Sequence, residues 1–134
     1  NEYSGLNLVA SREADWLKEK ARDTTIDLLD EFEELDAIFA VSDEMALGCV
    51  EGVKEMERRG KIFVTGLDGI REAVDSIKKG ELTATLNTNP RAMGRILLRT
   101  IVRSLIKGEE AEWKISSPIN IIEPVNVEDA EYTD

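Results

Sequence analysis

Short apolar runs alternate along the chain with longer segments whose apolar residues recur at helical spacing. Runs rich in β-branched residues predict buried strands, whereas helical spacing predicts a helix with one apolar face. The predicted strands are Leu6–Ala10, Ile38–Val41, Ile62–Thr65 and Leu82–Leu86, and Ile115–Ile122 is predicted to contain a last strand that Pro118 interrupts. The predicted helices are one that follows Ser11 and ends near Phe32, one between Asp43 and Gly60, Ile70–Lys79 and Arg91–Lys107. This alternation predicts an α/β protein with a mostly parallel sheet flanked by helices.

Residues 35–69 form the central strand–helix–strand unit of this pattern. A helix that connects two strands in this way implies a parallel pair with a right-handed crossover. Ser42 and Asp43 follow the first of these strands, and Leu67 and Asp68 follow the second. Because parallel strands end at one edge of the sheet, where open α/β sheets bind ligands, these four residues are predicted to lie side by side.

Three further residues are predicted at the same edge. Asn87 and Thr88 end the fourth predicted strand, and Trp16 follows the first by a few residues. Asn87 and Thr88 suit ordinary turn chemistry as well as ligand contact. Trp16 fits core packing, but an indole also stacks well on the apolar face of a sugar ring. Both interpretations stay open from the residues alone.

Asp43 and Asp68 are the sharpest chemical candidates. Each can cap a helix, since a carboxylate accepts backbone N–H groups and is favoured by the helix dipole. An ionised aspartate can also accept two hydrogen bonds from a pair of vicinal hydroxyls. A pair of carboxylates could instead hold a cation or perform acid–base chemistry. No third acidic residue stands at a metal-loop spacing, which argues against a dedicated ion site.

Composition narrows the classes of function. The formal net charge is −11, with 17 basic and 28 acidic residues, which disfavours nucleic acid and anionic membranes as partners. The chain has no histidine, which excludes Ser–His–Asp and Cys–His catalysis and histidine metal sites. Its one cysteine, Cys49, is predicted to be a buried structural thiol. No glycine-rich nucleotide or phosphate loop and no long apolar span is present, so we predict neither a cofactor nor membrane insertion.

Several segments, in order, carry a family resemblance. Ser42–Gly48 (SDEMALG) and Gly66–Gly69 (GLDG) resemble the periplasmic sugar-binding proteins of the ribose/galactose type and the related effector domains of lac-repressor-type regulators. Leu6–Trp16, Lys79–Thr85 (KGELTAT) and Pro90–Gly94 (PRAMG) resemble further segments of that family. The resemblance covers nearly the whole chain. It implies a type I periplasmic-binding-protein fold, in which two flavodoxin-like α/β lobes clamp a sugar between them.

The resemblance also implies roles for individual residues. Trp16 matches an aromatic residue that stacks on the sugar. Ser42 matches a polar residue, often Asn, that bonds ring hydroxyls. Leu67 stands at a position that is frequently aromatic, and Asp68 matches the carboxylate that takes a hydroxyl pair. Thr88 matches a polar hinge residue.

Two further residues have supporting roles, and two positions depart from the family pattern. Asp43 is expected to cap a helix rather than touch the ligand, and Asn87 is expected to support the same edge. Ser42 in place of Asn shortens the reach to the sugar, and Leu67 removes a stacking face. These departures leave the identity of the sugar open.

Family members are considerably longer than this chain. The resemblance implies that residues 1–88 and 120–134 form the second, C-terminal lobe without its first strand and helix. It implies that residues 89–119 belong with the first lobe. The expectation is therefore a fragment, whose exposed helix and unpaired sheet edge favour repacking or self-association, for example by exchange of residues 89–107.

The expected function is that of a sugar receptor for an ABC-type importer, which binds a monosaccharide non-covalently and is not an enzyme. Its partners would be the sugar and a permease, and its location periplasmic or extracytoplasmic. One alternative is the effector-sensing domain of a lac-repressor-type transcription regulator. Another is a flavodoxin-like phosphoacceptor signalling domain, with Asp43 or Asp68 as acceptor. We expect weak or no sugar affinity from this chain alone, because half of the clamp is absent.

Overall fold

The computed structural model describes residues 5–111 and 114–132, so the extreme ends of the predicted lobe, residues 1–4 and 133–134, lie outside the described part. The elements run in the order α1 (Lys18–Glu31), β1 (Ala37–Phe39), α2 (Asp43–Glu55), β2 (Phe63–Asp68), α3 (Arg71–Lys78), β3 (Ala84–Asn87), α4 (Pro90–Lys107) and β4 (Asn120–Ile122). A single 3₁₀ turn, Val127–Asp129, follows β4. The predicted α/β alternation is confirmed from residue 18 onward.

The described strands form one sheet in the order β1-β2-β3-β4. β1, β2 and β3 are parallel, and β4 runs antiparallel to β3. The mostly parallel sheet is therefore confirmed. The antiparallel direction of β4 departs from the uniform alternation. It follows from its connection, because the chain leaves the sheet at Asn87, the end of β3, and returns at that same end, where Asn120 begins β4 beside Asn87.

The sheet is covered by helices on one face. α2 packs against β2, and α1 and α3 flank α2. The side chains on this face form the core, together with the inner faces of the helices. Its buried apolar residues include Ala40, Val64 and Ile122 from the strands and Ala46, Cys49, Val50, Val53, Val74 and Ile77 from the helices. Cys49 is a buried free thiol, as predicted.

The opposite face of the sheet is open among the described residues. Phe39 and Phe63 point to that side and keep 67% and 62% of their surface exposed. Ile121 on β4 is also exposed, and Leu67 and Leu86, which pair with each other in the ladder, are half-buried. Parallel sheets are normally covered on both faces, so this one lacks a layer.

The first predicted strand, Leu6–Ala10, is wrong. This segment is extended but pairs with no other strand of the described chain, and Leu6 and Leu8 are largely exposed. It runs beside β1 and is separated from it by a groove. A strand needs a neighbour to satisfy its backbone groups, and no strand of residues 5–111 or 114–132 pairs with this segment.

One other predicted boundary, the start of α1, is wrong. α1 begins at Lys18 rather than just after Ser11, because Asp15 and Trp16 take positive φ angles of 49° and 62° in a turn before the helix. The strand predicted within Ile115–Ile122 is found at Asn120–Ile122, after the interruption expected at Pro118. Pro118 lies in that run and cannot donate a ladder hydrogen bond.

α4 stands apart from the rest of the structure. It buries none of its residues and makes no extensive contact with another described element. Its apolar residues Met93, Leu97, Leu98, Ile101, Val102, Leu105 and Ile106 are exposed. Asn89 and Gly108 delimit it, each with a left-handed backbone. No helix in the described ranges is both long and apolar enough to cross a membrane.

Candidate functional site

The carboxyl ends of β1, β2 and β3 lie together, and we call this edge, with its loops, the rim. Asp68 and Asn87 are register partners in neighbouring strands. Ala40, at the end of β1, donates its backbone N–H to the carbonyl of Thr65 at 2.9 Å, which aligns β1 with β2. The predicted residues at the end of each strand, Ser42, Asp43, Leu67, Asp68, Asn87 and Thr88, therefore share one edge.

Asp43 ties the loops of the rim together. Its side chain is fully buried, at 0% exposure. Oδ2 accepts hydrogen bonds from the backbone N–H groups of Gly69 at 2.7 Å and Ile70 at 2.9 Å. Oδ1 accepts a 2.6 Å bond from the Thr85 hydroxyl on β3. A single carboxylate thus joins the start of α2 to the β2–α3 loop and to β3.

The cap of α2 is Ser42 rather than Asp43. Ser42 Oγ accepts a hydrogen bond from the backbone N–H of Met45 at 3.2 Å, and Ser42 is itself buried. The expectation that Asp43 caps this helix is wrong, because its carboxylate reaches across to the neighbouring loop instead. The Ser42 hydroxyl oxygen is therefore engaged by the helix, although a hydroxyl group can accept and donate at the same time.

Asp68 has an unusual backbone at the end of β2. Its φ is 129°, a region that residues other than glycine rarely adopt. The next residue, Gly69, has φ 77°, and a Cβ there would lie 2.7 Å from the Cβ of Asn87. This tight turn holds the half-buried Asp68 side chain at the rim. Burial and the negative charge of Asp43 raise the pKa of Asp68 above the ordinary value of 3.8.

Asn87 connects β3 to the C-terminal tail and to α4. Its side-chain Nδ2 donates to the carbonyl of Glu131 at 2.7 Å, and its Oδ1 accepts from the backbone N–H of Asn89 at 2.8 Å. Asn89 in turn caps α4, since its Oδ1 accepts from the N–H of Ala92. Asn87 therefore links the end of β3 to the C-terminal tail and to the start of α4. Its neighbour Thr88 is half-buried at the same edge.

Trp16 lies at the same end of the molecule as the rim. α1 runs beside α2 in the same direction: the Lys18 ammonium contacts Glu51 at 2.7 Å, and the Lys18 carbonyl abuts Gly48. The turn before α1 is therefore near the start of α2. Trp16 is 68% exposed, which is unusual for so large an apolar side chain. Trp16 is not part of the core, so the alternative of core packing does not hold.

Several contacts at the rim have no sequence motif. The hydrogen bond between Asp43 and Thr85 joins residues that are 42 positions apart in the sequence. A threonine within a predicted strand does not indicate such a partner. The tail residue Tyr132 lies under the Arg71 guanidinium, whose central carbon is 4.7 Å from the ring centroid. Such long-range contacts depend on the folded topology.

The chemistry of the rim suits a neutral, polyhydroxylated ligand. Asp68 offers carboxylate acceptors, Thr88 a hydroxyl and Trp16 a flat apolar surface. Within residues 5–111 and 114–132, no three His, Cys, Asp or Glu side chains cluster in a way that could hold a metal ion. Asp43 is fully buried and engaged by three donors, so it is not accessible to a phosphoryl donor.

Comparison with known proteins identifies the family. A family model described as "Periplasmic binding protein domain" matches residues 1–110. The D-allose-binding periplasmic protein of Escherichia coli is 37% identical over 99 residues, covering 74% of this chain and 32% of that protein. The ribose import binding protein of Haemophilus influenzae is 34% identical over 116 residues, covering 87% and 39%. This chain belongs to the periplasmic binding protein domain family, and it spans about a third of the length of these relatives.

Solved structures confirm the fold. An ABC transporter periplasmic solute-binding protein from Actinobacillus succinogenes, with bound D-allose, superposes with a TM-score of 0.89 at 27% identity. The match covers 96% of this chain and 46% of that one. The myo-inositol-binding protein of Caulobacter, bound to myo-inositol, gives a TM-score of 0.83 at 28% identity and covers 95% and 44%. The predicted relation to the type I periplasmic binding proteins is confirmed.

Proposed function

We propose that the rim forms one wall of a cleft that binds a monosaccharide or a similar cyclic polyol without covalent chemistry. One observation carries this proposal: the carboxyl ends of β1, β2 and β3 lie at the same end of the molecule as the exposed Trp16. Family membership supports it, because relatives of this chain are described as binding D-allose, ribose and myo-inositol. The second wall would come from polypeptide that this chain does not span.

Each rim residue has a proposed role. Trp16 stacks on an apolar face of the ring, and Asp68 accepts hydrogen bonds from two vicinal hydroxyls. Ser42 donates its hydroxyl proton to the sugar, and Leu67 makes an apolar contact with the ring. Thr88 forms a hydrogen bond with a sugar hydroxyl near the point where the chain leaves β3 for α4. Asp43 and Asn87 do not contact the sugar but fix the loops that carry these residues.

Titration by two-dimensional ¹H–¹⁵N NMR tests the proposal. We expect D-ribose, D-allose or myo-inositol to shift the Trp16 indole N–H and the amides around Asp68 in a saturable manner. A half-cleft should bind weakly, with a dissociation constant on the order of 1 mM, because few of the ligand's groups are covered. Leucine serves as a non-sugar control. The absence of any saturable shift with all three polyols would contradict the proposal.

The pKa of Asp68 predicts how sugar binding depends on pH. The carboxylate, and not the acid, accepts two hydroxyl bonds, so affinity is full above this pKa and declines as pH falls through it. Since the pKa is raised, the decline should begin at a higher pH than for an ordinary aspartate. The pKa of Asp68 is higher in the folded state than in the unfolded state, so protonation of Asp68 favours the folded state. The loss of sugar binding at low pH is therefore not caused by unfolding that results from protonation of Asp68.

Asp68→Asn provides the matching variant. We expect this variant to lose sugar affinity at least about tenfold at neutral pH, because a charge-assisted hydrogen bond is worth about 1.5–3 kcal/mol. Its sugar affinity should also depend much less on pH in the acidic range. Asp75→Asn, at an exposed position on α3, should bind as the unmodified chain does. Equal pH profiles for the Asp68 variant and the parent would exclude Asp68 as the hydroxyl acceptor.

We also propose the division of the chain that the resemblance implies. Residues 1–88 and 120–134 make up the C-terminal lobe, and residues 89–119 belong with a first lobe. The isolated position of α4 supports this, because a helix with an exposed apolar side needs a partner. In the whole protein, that partner would be the first lobe, and the protein would serve a permease of an ABC-type importer outside the cytoplasm.

In the isolated chain, we propose that a second copy covers α4. Light scattering after size-exclusion chromatography is expected to show a dimer whose population rises with concentration. Leu97→Glu together with Ile101→Glu should weaken it at least about tenfold, because two charges would be desolvated in the interface. Val125→Glu, at an exposed site outside α4, should leave the dimer intact. A monomer at every concentration would refute self-association.

A further inference from the structure

The turn that carries Asp68 needs support from outside β2. Asp68 has a φ of 129°, and such a backbone is strained for a residue other than glycine. It persists only where the surrounding structure holds it. Asp43 holds one side of the turn through the backbone N–H groups of Gly69 and Ile70. The turn has two further flanks, which are the end of β3 and the start of α3.

Residues 127–132, which we call the tail, are anchored against α3 and the core. Val127 is buried, with 5% of its surface exposed, and Ala130 packs against the core. The 3₁₀ turn at the start of the tail contacts α3. Asn126 sets the direction of the chain just before it, because its Nδ2 donates to the carbonyl of Ile121 on β4 at 2.9 Å. The later residues of the tail are therefore presented at a defined place beside the rim.

The tail bonds to both flanks of the Asp68 turn. On the β3 side, Asn87 Nδ2 donates to the carbonyl of Glu131 at 2.7 Å. On the α3 side, the central carbon of the Arg71 guanidinium lies 4.7 Å from the centroid of the Tyr132 ring, which is a cation–π contact. Asn87 is the register partner of Asp68, and Arg71 follows Asp68 by three positions. Two adjacent tail residues thus bridge the two ends of the turn.

Asn87 passes the position of the tail on to the turn. It is buried, with 5% exposure, and both polar groups of its side chain are engaged. The backbone of Gly69 packs so closely on it that a Cβ at Gly69 would lie 2.7 Å from the Asn87 Cβ. A shift of Asn87 therefore displaces Gly69, and with it the carboxylate of Asp68.

We propose that the tail is a latch that holds the Asp68 turn in its sugar-binding conformation, with Tyr132 and Arg71 as positioning residues. They act through Asp68 and do not touch the sugar. The effect of the latch on binding rests on the proposed function, because the sugar contact belongs to Asp68. Its effect on the turn is present with or without a ligand.

Tyr132→Ala tests the latch without any sugar. The substitution removes the ring but no charge at neutral or acidic pH, so it changes Asp68 only through the position of the turn. Burial and the negative charge of Asp43 raise the pKa of Asp68, and in this variant the pKa should fall towards its ordinary value. Carboxyl ¹³C chemical shifts followed against pH measure it. The backbone ¹⁵N order parameters of Asp68 and Gly69 should fall as well.

Three variants complete the comparison. Tyr132→Phe keeps an aromatic ring for Arg71 and should have the parent's Asp68 pKa. Glu131→Gln changes an exposed side chain but keeps the carbonyl that Asn87 binds, so it should also behave as the parent. Asn87→Ala removes the buried donor and should lower the Asp68 pKa further than Tyr132→Ala does. A tail that only stabilised the whole fold would leave the Asp68 pKa and order parameters of the folded state unchanged in all of them.

Titration with D-allose measures the consequence for binding. We expect the affinity to fall about two- to fivefold in Tyr132→Ala, the factor that a partly exposed cation–π contact supplies, and at least about tenfold in Asn87→Ala. A parent without saturable binding would contradict the proposed function, whereas the latch stands or falls on the pKa and order parameters of Asp68. An unchanged pKa and unchanged order parameters in Tyr132→Ala would overturn the latch even if affinity fell, because Tyr132 would then act on the sugar directly. A Tyr132→Phe variant that behaved as Tyr132→Ala would also overturn it.

Discussion

Replacing Asp43 with alanine is expected to lower the free energy of unfolding by about 3–5 kcal/mol, measured by urea denaturation. The change removes the acceptor for two backbone N–H groups and for the Thr85 hydroxyl. A buried donor without a partner costs about 1–3 kcal/mol, and three such losses in one network add only in part. The loop that carries Asp68 should loosen at the same time.

Two variants provide the controls for this prediction. Asp43→Asn keeps the shape and one acceptor oxygen but lacks the charge, so we expect a smaller loss of about 1–3 kcal/mol. Asp75→Ala removes an exposed carboxylate and should change stability by no more than about 0.5 kcal/mol. If Asp43→Ala cost no more than Asp75→Ala, the carboxylate would not hold the rim together.

Gly48→Ala is expected to lower the free energy of unfolding by about 2–3 kcal/mol. A Cβ at this position would lie 2.1 Å from the backbone carbonyl oxygen of Lys18 and 3.1 Å from the Cβ of Ala21. Because the nearest atom belongs to the backbone of α1, no rotation of a side chain relieves the contact, and the two helices must separate. Gly52, four residues later, meets Arg22 and Thr25 in the same way.

Gly94→Ala is the matched control for Gly48→Ala. Gly94 also lies inside a helix, α4, but nothing stands within 4 Å of a Cβ placed there. Alanine is the better helix former, so this variant should be stabilised by up to about 1 kcal/mol. Opposite signs for the two substitutions in thermal or urea unfolding are therefore expected. A Gly48→Ala variant as stable as Gly94→Ala, or more stable than the parent, would show that the spacing of α1 and α2 is not set by Gly48.

Much of the fold was predictable because it rests on local patterns. α2, α3 and α4 have clear apolar spacing and end at or near glycines, and β1 to β3 are short apolar runs between them. Leu6–Ala10 has the same composition, yet it is not a strand here. Strand formation depends on a neighbour, and composition does not show whether one is present. The positive φ angles of Asp15 and Trp16, which delay α1, also have no sequence signal.

The position of the rim was predictable from topology, whereas its internal bonding was not. Parallel strands place Ser42, Asp68 and Asn87 at one edge, so order along the chain suffices to bring them together. The sequence does not indicate that Ser42 rather than Asp43 caps α2, because both are good cap residues and are adjacent in sequence. Only the path of the β2–α3 loop decides that Asp43 turns towards Gly69.

Intermolecular NOEs between a polyol and the protein test the central claim most directly. With D-allose or D-ribose at saturating concentration, the account predicts contacts from the sugar's ring protons to the Trp16 indole and to the amides of Asp68 and Gly69. Saturable binding with NOEs to residues 5–12 and 34–41, or to α4, and none to Trp16 or Asp68 would contradict it.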